Sequence, residues 1–276
     1  MREARLLGRD HPRVGPIAAL AEGPLAIALS AGGAPKTYDH TDPNEDAVGF
    51  AHHAKGALLL VADAHGGCSA SETAVVWLLE RCAPAWLEGP PPTRWPEQVR
   101  AALWDAHMTV RRAAQRPDRQ GSRTTLALAL LRTDAQRLYV ASVGDSHIFR
   151  VSGAAGEDLA EPGRPCPPRC FLGSESLSED ALAEVAVADE AALSGVRALV
   201  LASDGLSEKG VGVADPAAAV GEAVAAGSAA APHLRALETA RAVAERSNAA
   251  HRDNPSGDNI GVAVMWLDAE RQAGSP

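Results

Sequence analysis

Residues 56–67 read Gly56-Ala57-Leu58-Leu59-Leu60-Val61-Ala62-Asp63-Ala64-His65-Gly66-Gly67. An unbroken apolar run bounded by turn residues predicts a buried strand over Gly56 to Asp63. Asp63 ends that strand, so its carboxylate stands where the chain leaves the core. Gly66-Gly67 then allows a tight backbone turn that a Cβ would oppose. An ordinary strand-to-helix turn, with Ser69 capping the next helix, would explain this stretch alone. The same arrangement recurs, however, at Gly144-Asp145-Ser146, Ser203-Asp204-Gly205 and Gly257-Asp258-Asn259.

Outward from this stretch, strands are expected at Leu25–Ser30 and Asp46–His52, the second close enough to pair with Gly56–Asp63 as a hairpin. Two helices follow, near Ser69–Ala83 and Pro96–Ala114. The first carries Ala70, Ala74, Trp77 and Leu78 on one stripe and is ended or kinked by Pro84. Trp77, Trp86, Trp95 and Trp104 read as packing anchors. Thr124–Leu131, Leu138–Val143 and Ile148–Val151 suggest an antiparallel meander, and residues 152–170 a proline-rich surface loop. A strand at Ala198–Ala202, helices near Pro216–Ala226 and Leu234–Ala250, and a strand at Ile260–Leu267 complete the chain. Strand groups separated by helix pairs point to sheets covered by helices, not to alternating βαβ units.

The 276 residues, 46% hydrophobic, suit one large domain over 24–268, after a loose lead-in at 1–23 and before a tail at 269–276. A formal charge of -9 argues against phosphate-neutralising nucleic-acid binding. Cys68, Cys82, Cys166 and Cys170 lack paired metal spacing and read as free thiols of a reducing cytosol. Residues 17–30 are too short and broken for a membrane span, and no signal peptide is evident, so a cytoplasmic protein is expected.

Five acidic positions share a setting beside a predicted strand and a turn: Asp46, Asp63, Asp145, Asp204 and Asp258. For any one of them a turn or helix cap is the simpler account. Brought together, they would repel unless cations neutralise them. Hard oxygen ligands suit Mg²⁺ or Mn²⁺. Two such ions can acidify a water for in-line attack on phosphorus.

Asn44-Glu45-Asp46, Val61-Ala62-Asp63-Ala64-His65-Gly66-Gly67, Val143-Gly144-Asp145-Ser146, Leu201-Ala202-Ser203-Asp204-Gly205-Leu206 and Gly257-Asp258-Asn259-Ile260 occur in this order. Together they resemble the metal-dependent protein serine/threonine phosphatases of the type-2C class, in their compact bacterial form, over roughly residues 36 to 267. The resemblance implies an α+β fold, a four-layer αββα sandwich of two antiparallel sheets flanked by helix pairs. It implies two Mn²⁺ or Mg²⁺ ions bridged by Asp63, with the Ala64 carbonyl on one and Asp204 and Asp258 on the other. Glu45 and Asp46 fall on the acidic pair beside the metals, and Asp145 on the residue associated with a third, weaker ion. His65 resembles the general acid for the leaving alkoxide; a turn histidine bonded to a nearby carboxylate fits the sequence equally well.

On this reading the chain is expected to be a signalling hydrolase of phosphorylated protein, a monomer without nucleic-acid or membrane partners. A catalytically weak binding module on the same fold, or a hydrolase of small phosphoesters, are the rival readings. Departures from the pattern bear on substrate handling. No arginine lies in Tyr38-Asp39-His40-Thr41-Asp42-Pro43, where the family often grips phosphate. Ala64 replaces a glycine, His147 stands where Gly-Asp-Ser is usually followed by arginine, and the segment after it is short and proline-rich. Arg123 and His40 are the substitutes considered for the phosphate grip. A solvated loop arginine is the simpler account of Arg123.

Overall fold

The computed structural model describes residues 1–116, 121–160, 170–183, 186–190, 193 and 195–267. Thirteen strands form two antiparallel sheets among these residues. In the first, β1 (Arg2–Leu7), β4 (Asp46–His53), β5 (Gly56–His65), β7 (Leu126–Arg132), β8 (Arg137–Val143) and β11 (Ala186–Glu190) lie side by side in that order. The two-residue β6 (Arg123–Thr124) pairs with the end of β5. In the second the order is β10 (Gly156–Asp158), β9 (His147–Val151), β12 (Ala198–Ala202), β13 (Ile260–Trp266), β3 (Leu25–Ser30) and β2 (Ile17–Glu22).

Three apolar layers hold the sandwich together. Ile27, Leu29, Val48, Phe50, Leu59, Val61 and Leu201 interdigitate between the sheets. Alternate residues of the same strands, Leu58, Leu60 and Leu128, face outward onto α1 (Ser69–Trp77), α2 (Ala83–Glu88) and α3 (Trp95–Ala113). On the far side Ala28, Val200 and Val262 pack against α5 (Pro216–Ser228) and α6 (Arg235–Asp253). A short α4 (Glu179–Ala183) follows the loop after Cys170. The period-two alternation explains why strands that read as continuous apolar runs are buried on both faces. This is the four-layer αββα arrangement expected from the sequence.

The anchor tryptophans behave as expected. Trp95 is fully buried, its Nε1–H donating to the Val140 carbonyl at 3.0 Å and its ring packed against Trp86 and Tyr139. Pro84 does not end the first helix. A π-helical turn, Leu78–Cys82, widens the chain so that the Ala83 N–H reaches the Leu78 carbonyl. The helix then restarts with Pro84 in its first turn, where a missing N–H costs least.

Three expectations are corrected. Residues 1–23 are not a loose lead-in, because β1 pairs with β4 from Arg2↔His52 to Leu7↔Ala47 and β2 pairs with β3 from Ile17↔Ser30 to Glu22↔Leu25. The meander is broken, since β9 leaves β8 and pairs with β12 in the other sheet. The expected loop at 152–170 contains β10, paired with β9; residues 161–169 of that loop and the tail at 269–276 lie outside the described residues.

Candidate metal centre

The acidic residues converge because strand ends from both sheets meet at one edge of the sandwich. Asp46 opens β4 directly opposite Asp63 in β5. Ala202, at the end of β12, pairs with Val262 of β13, which brings Asp204 beside Asp258. Asp46 crosses from one sheet to the other: its Oδ2 accepts the Ser203 hydroxyl at 2.7 Å, and Ser203 Oγ in turn accepts the Gly261 N–H at 2.9 Å. Asp63 feels the charges of Asp204, Asp46 and Asp258, so it is the carboxylate in the middle. Its backbone is pinned by Thr125, whose hydroxyl accepts the Asp63 N–H at 3.0 Å and whose own N–H donates to the Asp63 carbonyl at 2.8 Å. After Ala64 and His65 the chain turns through Gly66 and Gly67 at φ +77 and +108, a conformation that a side chain would strain.

These carboxylates are crowded and dry. Burial raises the Asp46 carboxyl to about 6, and burial with repulsion from neighbouring aspartates raises Asp63 and Asp204 well above the usual range. A carboxyl whose pKa is higher folded than unfolded favours folding most below about pH 4, where it is protonated in both states. That contribution is lost as pH rises through the folded value. The metal-free protein is therefore expected to melt at lower temperature at pH 7.5 than at pH 5, and saturating Mn²⁺ to narrow the gap; calorimetry at both pH values checks this.

Two observations test whether the donors suit a divalent ion. Asp46 Oδ1 and Asp145 Oδ1 are buried without any hydrogen-bond partner, which leaves oxygens for a cation to satisfy. The donor set is all oxygen, as Mg²⁺ and Mn²⁺ prefer. Yet among the described residues no three His, Cys, Asp or Glu side chains stand ready to hold an ion as they are. Lys36 stands among them instead. Its Nζ lies 3.2 Å from Asp258 Oδ1 and 3.6 Å from Glu45 Oε2, with only 4% of the side chain exposed. Tyr38 donates its hydroxyl to the same Asp258 oxygen.

The remaining sequence candidates fall into distinct settings. Glu45 is held by its loop: Oε1 accepts the N–H groups of Thr41, Asp42 and Gly67, the last at 2.5 Å, while Oε2 faces Lys36. Ala64 is buried, and its N–H donates to the Glu45 carbonyl. His65 is half-exposed at the rim, its Nε2 3.9 Å from Asp63 Oδ2 and its ring edge-on to Phe171 at 5.0 Å. Burial, and secondarily the Arg123 cation, lower its pKa, while Asp145 opposes the shift. Arg123 pairs with His65 across β6 and β5 and lays its guanidinium over Phe171 at 5.2 Å. His40 is turned back on its own exposed loop, Nδ1 2.9 Å from the Tyr38 carbonyl.

Sequence reasoning missed the residues that position the ligands. Asn259 accepts the Glu45 N–H at 2.8 Å and donates to the Pro43 carbonyl, tying the acidic pair to β13. Its place beside Asp258 was the available signal. Buried His251 donates from Nε2 to the Gly205 carbonyl at 2.7 Å, and its Nδ1 accepts the Gly33 N–H, so α6 braces the turn after Asp204. His147 fixes the same turn from the other side, with Nδ1 2.6 Å from Asp158 Oδ2 and Nε2 2.6 Å from Ser207 Oγ. This has the look of a nucleophilic triad. The nearby N–H groups of Leu206, Ser207 and Glu208 are all spent on Ser203 and Asp204 carbonyls, however, so these three cannot serve as oxyanion donors and the trio reads as a brace.

The acidic residues of the centre lie at or just beyond strand ends. An open cleft lies elsewhere, lined by Gly15, Ile17 and the Arg241–Arg252 face of α6.

No curated relative matches the chain in sequence. Solved structures match its fold. The serine/threonine phosphatase 2C of Toxoplasma gondii superposes with a TM-score of 0.66 at 17% identity, covering 92% of this chain and 100% of that one. Serine/threonine phosphatase Stp1 of Staphylococcus aureus gives 0.63 at 17% identity, covering 90% and 96%. The catalytic domain of serine threonine protein phosphatase PstP, solved in complex with two manganese ions, gives 0.61 at 20% identity, covering 92% and 100%. Residues 35–245 match the sequence profile of Protein phosphatase 2C. With most of its length in that match, the chain belongs to the protein phosphatase 2C family.

Proposed function

We propose that this chain hydrolyses phosphoserine and phosphothreonine esters in protein substrates, with two divalent ions, Mn²⁺ or Mg²⁺, held at the edge of the sandwich. The observation that carries the reading is the meeting of Asp46, Asp63, Asp204 and Asp258 from two sheets, with Asp46 and Asp63 directly opposite and Asp63 repelled by Asp204, Asp46 and Asp258. Asp63 would bridge the ions, with the Ala64 carbonyl beside it, and Asp204 and Asp258 would complete the second ion's protein ligands. Glu45 and Asp46 would sit beside them, and Asp145, with its orphaned oxygen, would serve a third, weaker position. When bound, the ions supply positive charge for the phosphoryl oxygens and lower the pKa of a coordinated water.

The chain's own groups do the rest. Ser203 holds one Asp46 oxygen, and the other is buried without a hydrogen-bond partner, free for a cation. His65, at the rim and within reach of Asp63, can deliver a proton to the leaving alkoxide of serine or threonine. Arg123, over Phe171 and beside His65, offers a guanidinium to an approaching phosphate at the same rim. His40 is the weaker candidate for that task, since its ring bonds its own loop.

Turnover of a phosphothreonine peptide is expected to need added Mn²⁺ or Mg²⁺ and to vanish with chelator. An aryl phosphate and a panel of phosphorylated metabolites should be poorer substrates by kcat/KM. Full peptide hydrolysis by the metal-free protein would refute the metal assignment, and a preference for one metabolite would refute the protein substrate. Among the described residues no helix is long and apolar enough to cross a membrane.

A further inference from the structure

We propose that Lys36 is a tethered internal cation that occupies the acidic centre and must be displaced before divalent ions fill it, so that Lys36 sets the metal concentration at which the site loads. The inference rests on the metal-site reading above. Its basis is the position of the ammonium, between Asp258 and Glu45, in a side chain withdrawn almost wholly from water. Burying an ammonium is costly unless anions surround it. Here Asp258, Asp63, Asp46 and Glu45 all favour its charge.

The contacts made by Asp258 show why the two cations compete. Its Oδ1 already receives the Lys36 ammonium, the Tyr38 hydroxyl and the Asn259 N–H at 2.7 Å. An oxygen engaged by three donors offers no free lone pair to an ion. The Lys36 ammonium also lies 5.4 Å from the centre of the Tyr38 ring, so the two side chains form one plug. The plug can leave without unfolding its surroundings. Thr37, Tyr38, Asp39, His40 and Thr41 are exposed, and Thr37 N–H is anchored at 3.0 Å to Ser256 Oγ, outside the carboxylate cluster. Four rotatable bonds let the ammonium swing to solvent while that anchor holds.

The test is Lys36→Met, which keeps length and removes charge, with Lys36→Arg as the charge-retaining control and Tyr38→Phe as the milder variant. Calorimetric titration of metal-free protein with Mn²⁺ should show at least one site tightened about tenfold in K36M, little change in K36R, and a smaller gain in Y38F. The melting temperature of metal-free K36M should fall, because the carboxylates lose their cation. In saturating Mn²⁺ it should match the parent protein. If K36M does not fold without metal, it is prepared loaded and the same affinity is read by chelator competition. Equal or weaker Mn²⁺ binding by K36M, with the parent protein binding normally, overturns the proposal. Absence of Mn²⁺ binding in both proteins would instead overturn the metal site itself.

Discussion

Asp63→Asn is expected to lower kcat/KM for a phosphopeptide on the order of 10³-fold or more, beyond the 10–100-fold typical of outer partners of a metal site. Asn keeps the shape but cannot supply the charge that two cations would share. The fold should survive, since the backbone of Asp63 is held by Thr125 and by the β4 and β7 ladders on either side of β5. The metal-free variant should melt at higher temperature than the parent, because one of several mutually repelling buried carboxylates is gone. Saturating Mn²⁺ should then add little. A variant that kept both its metal stoichiometry and its turnover would remove Asp63 from the centre.

Gly205→Ala should be nearly as damaging by a different route. Gly205 does not have positive φ, so the requirement is for space alone. A Cβ there would stand 1.8 Å from the Asn259 carbonyl oxygen and 3.6 Å from Asp258 Cβ. The two backbones would have to separate, carrying Asp204 away from Asp258. A displacement of about 1 Å at such a site can cost roughly 10²-fold in rate, and forced overpacking costs about 1–3 kcal/mol of stability. Mn²⁺ titration, circular dichroism and peptide turnover on one preparation would separate these effects. Parent-like metal affinity would show that the strand ends tolerate the separation.

The sequence disclosed the centre more fully than the frame around it. Strands β3, β4, β5, β12 and β13 were legible because their apolar runs are sharply bounded at one end by Ser or Asp or by Asp-Asn. Strands β1 and β2 were not: both are edge strands, β1 has no clean alternation, and the short run Ile17–Ala21 of β2 is broken off by Glu22, Gly23 and Pro24. The move of β9 to the second sheet was hidden for another reason: the Gly144-Asp145-Ser146 turn says that the chain reverses, not which neighbour the next strand will choose. The role of Lys36 was not legible, because a lysine opening a polar loop ordinarily reads as solvated. Only the long-range pairing with Asp258 gives it a role. Arg123 was legible as a candidate from its place before Thr124-Thr125, but its pairing with His65, through the register of β6 on β5, was not.

The position of β13 bears on how the chain matures during synthesis. It lies between β3 and β12, so the early strands β2 and β3 wait for Ile260–Trp266 to emerge before they join the rest of their sheet. At ribosomal rates that interval lasts on the order of ten seconds or more. Throughout it β3, almost wholly apolar and buried in the finished fold, presents an open edge that another nascent chain could pair with. The first sheet faces no such delay, since β4, β5, β7 and β8 join in the order they are made. Half of the acidic centre is therefore assembled early and harmlessly. The other half, carrying Asp204 and Asp258, arrives only with the strand that also ends the exposure, so the newborn protein passes from its most aggregation-prone form to its complete site in a single closing step.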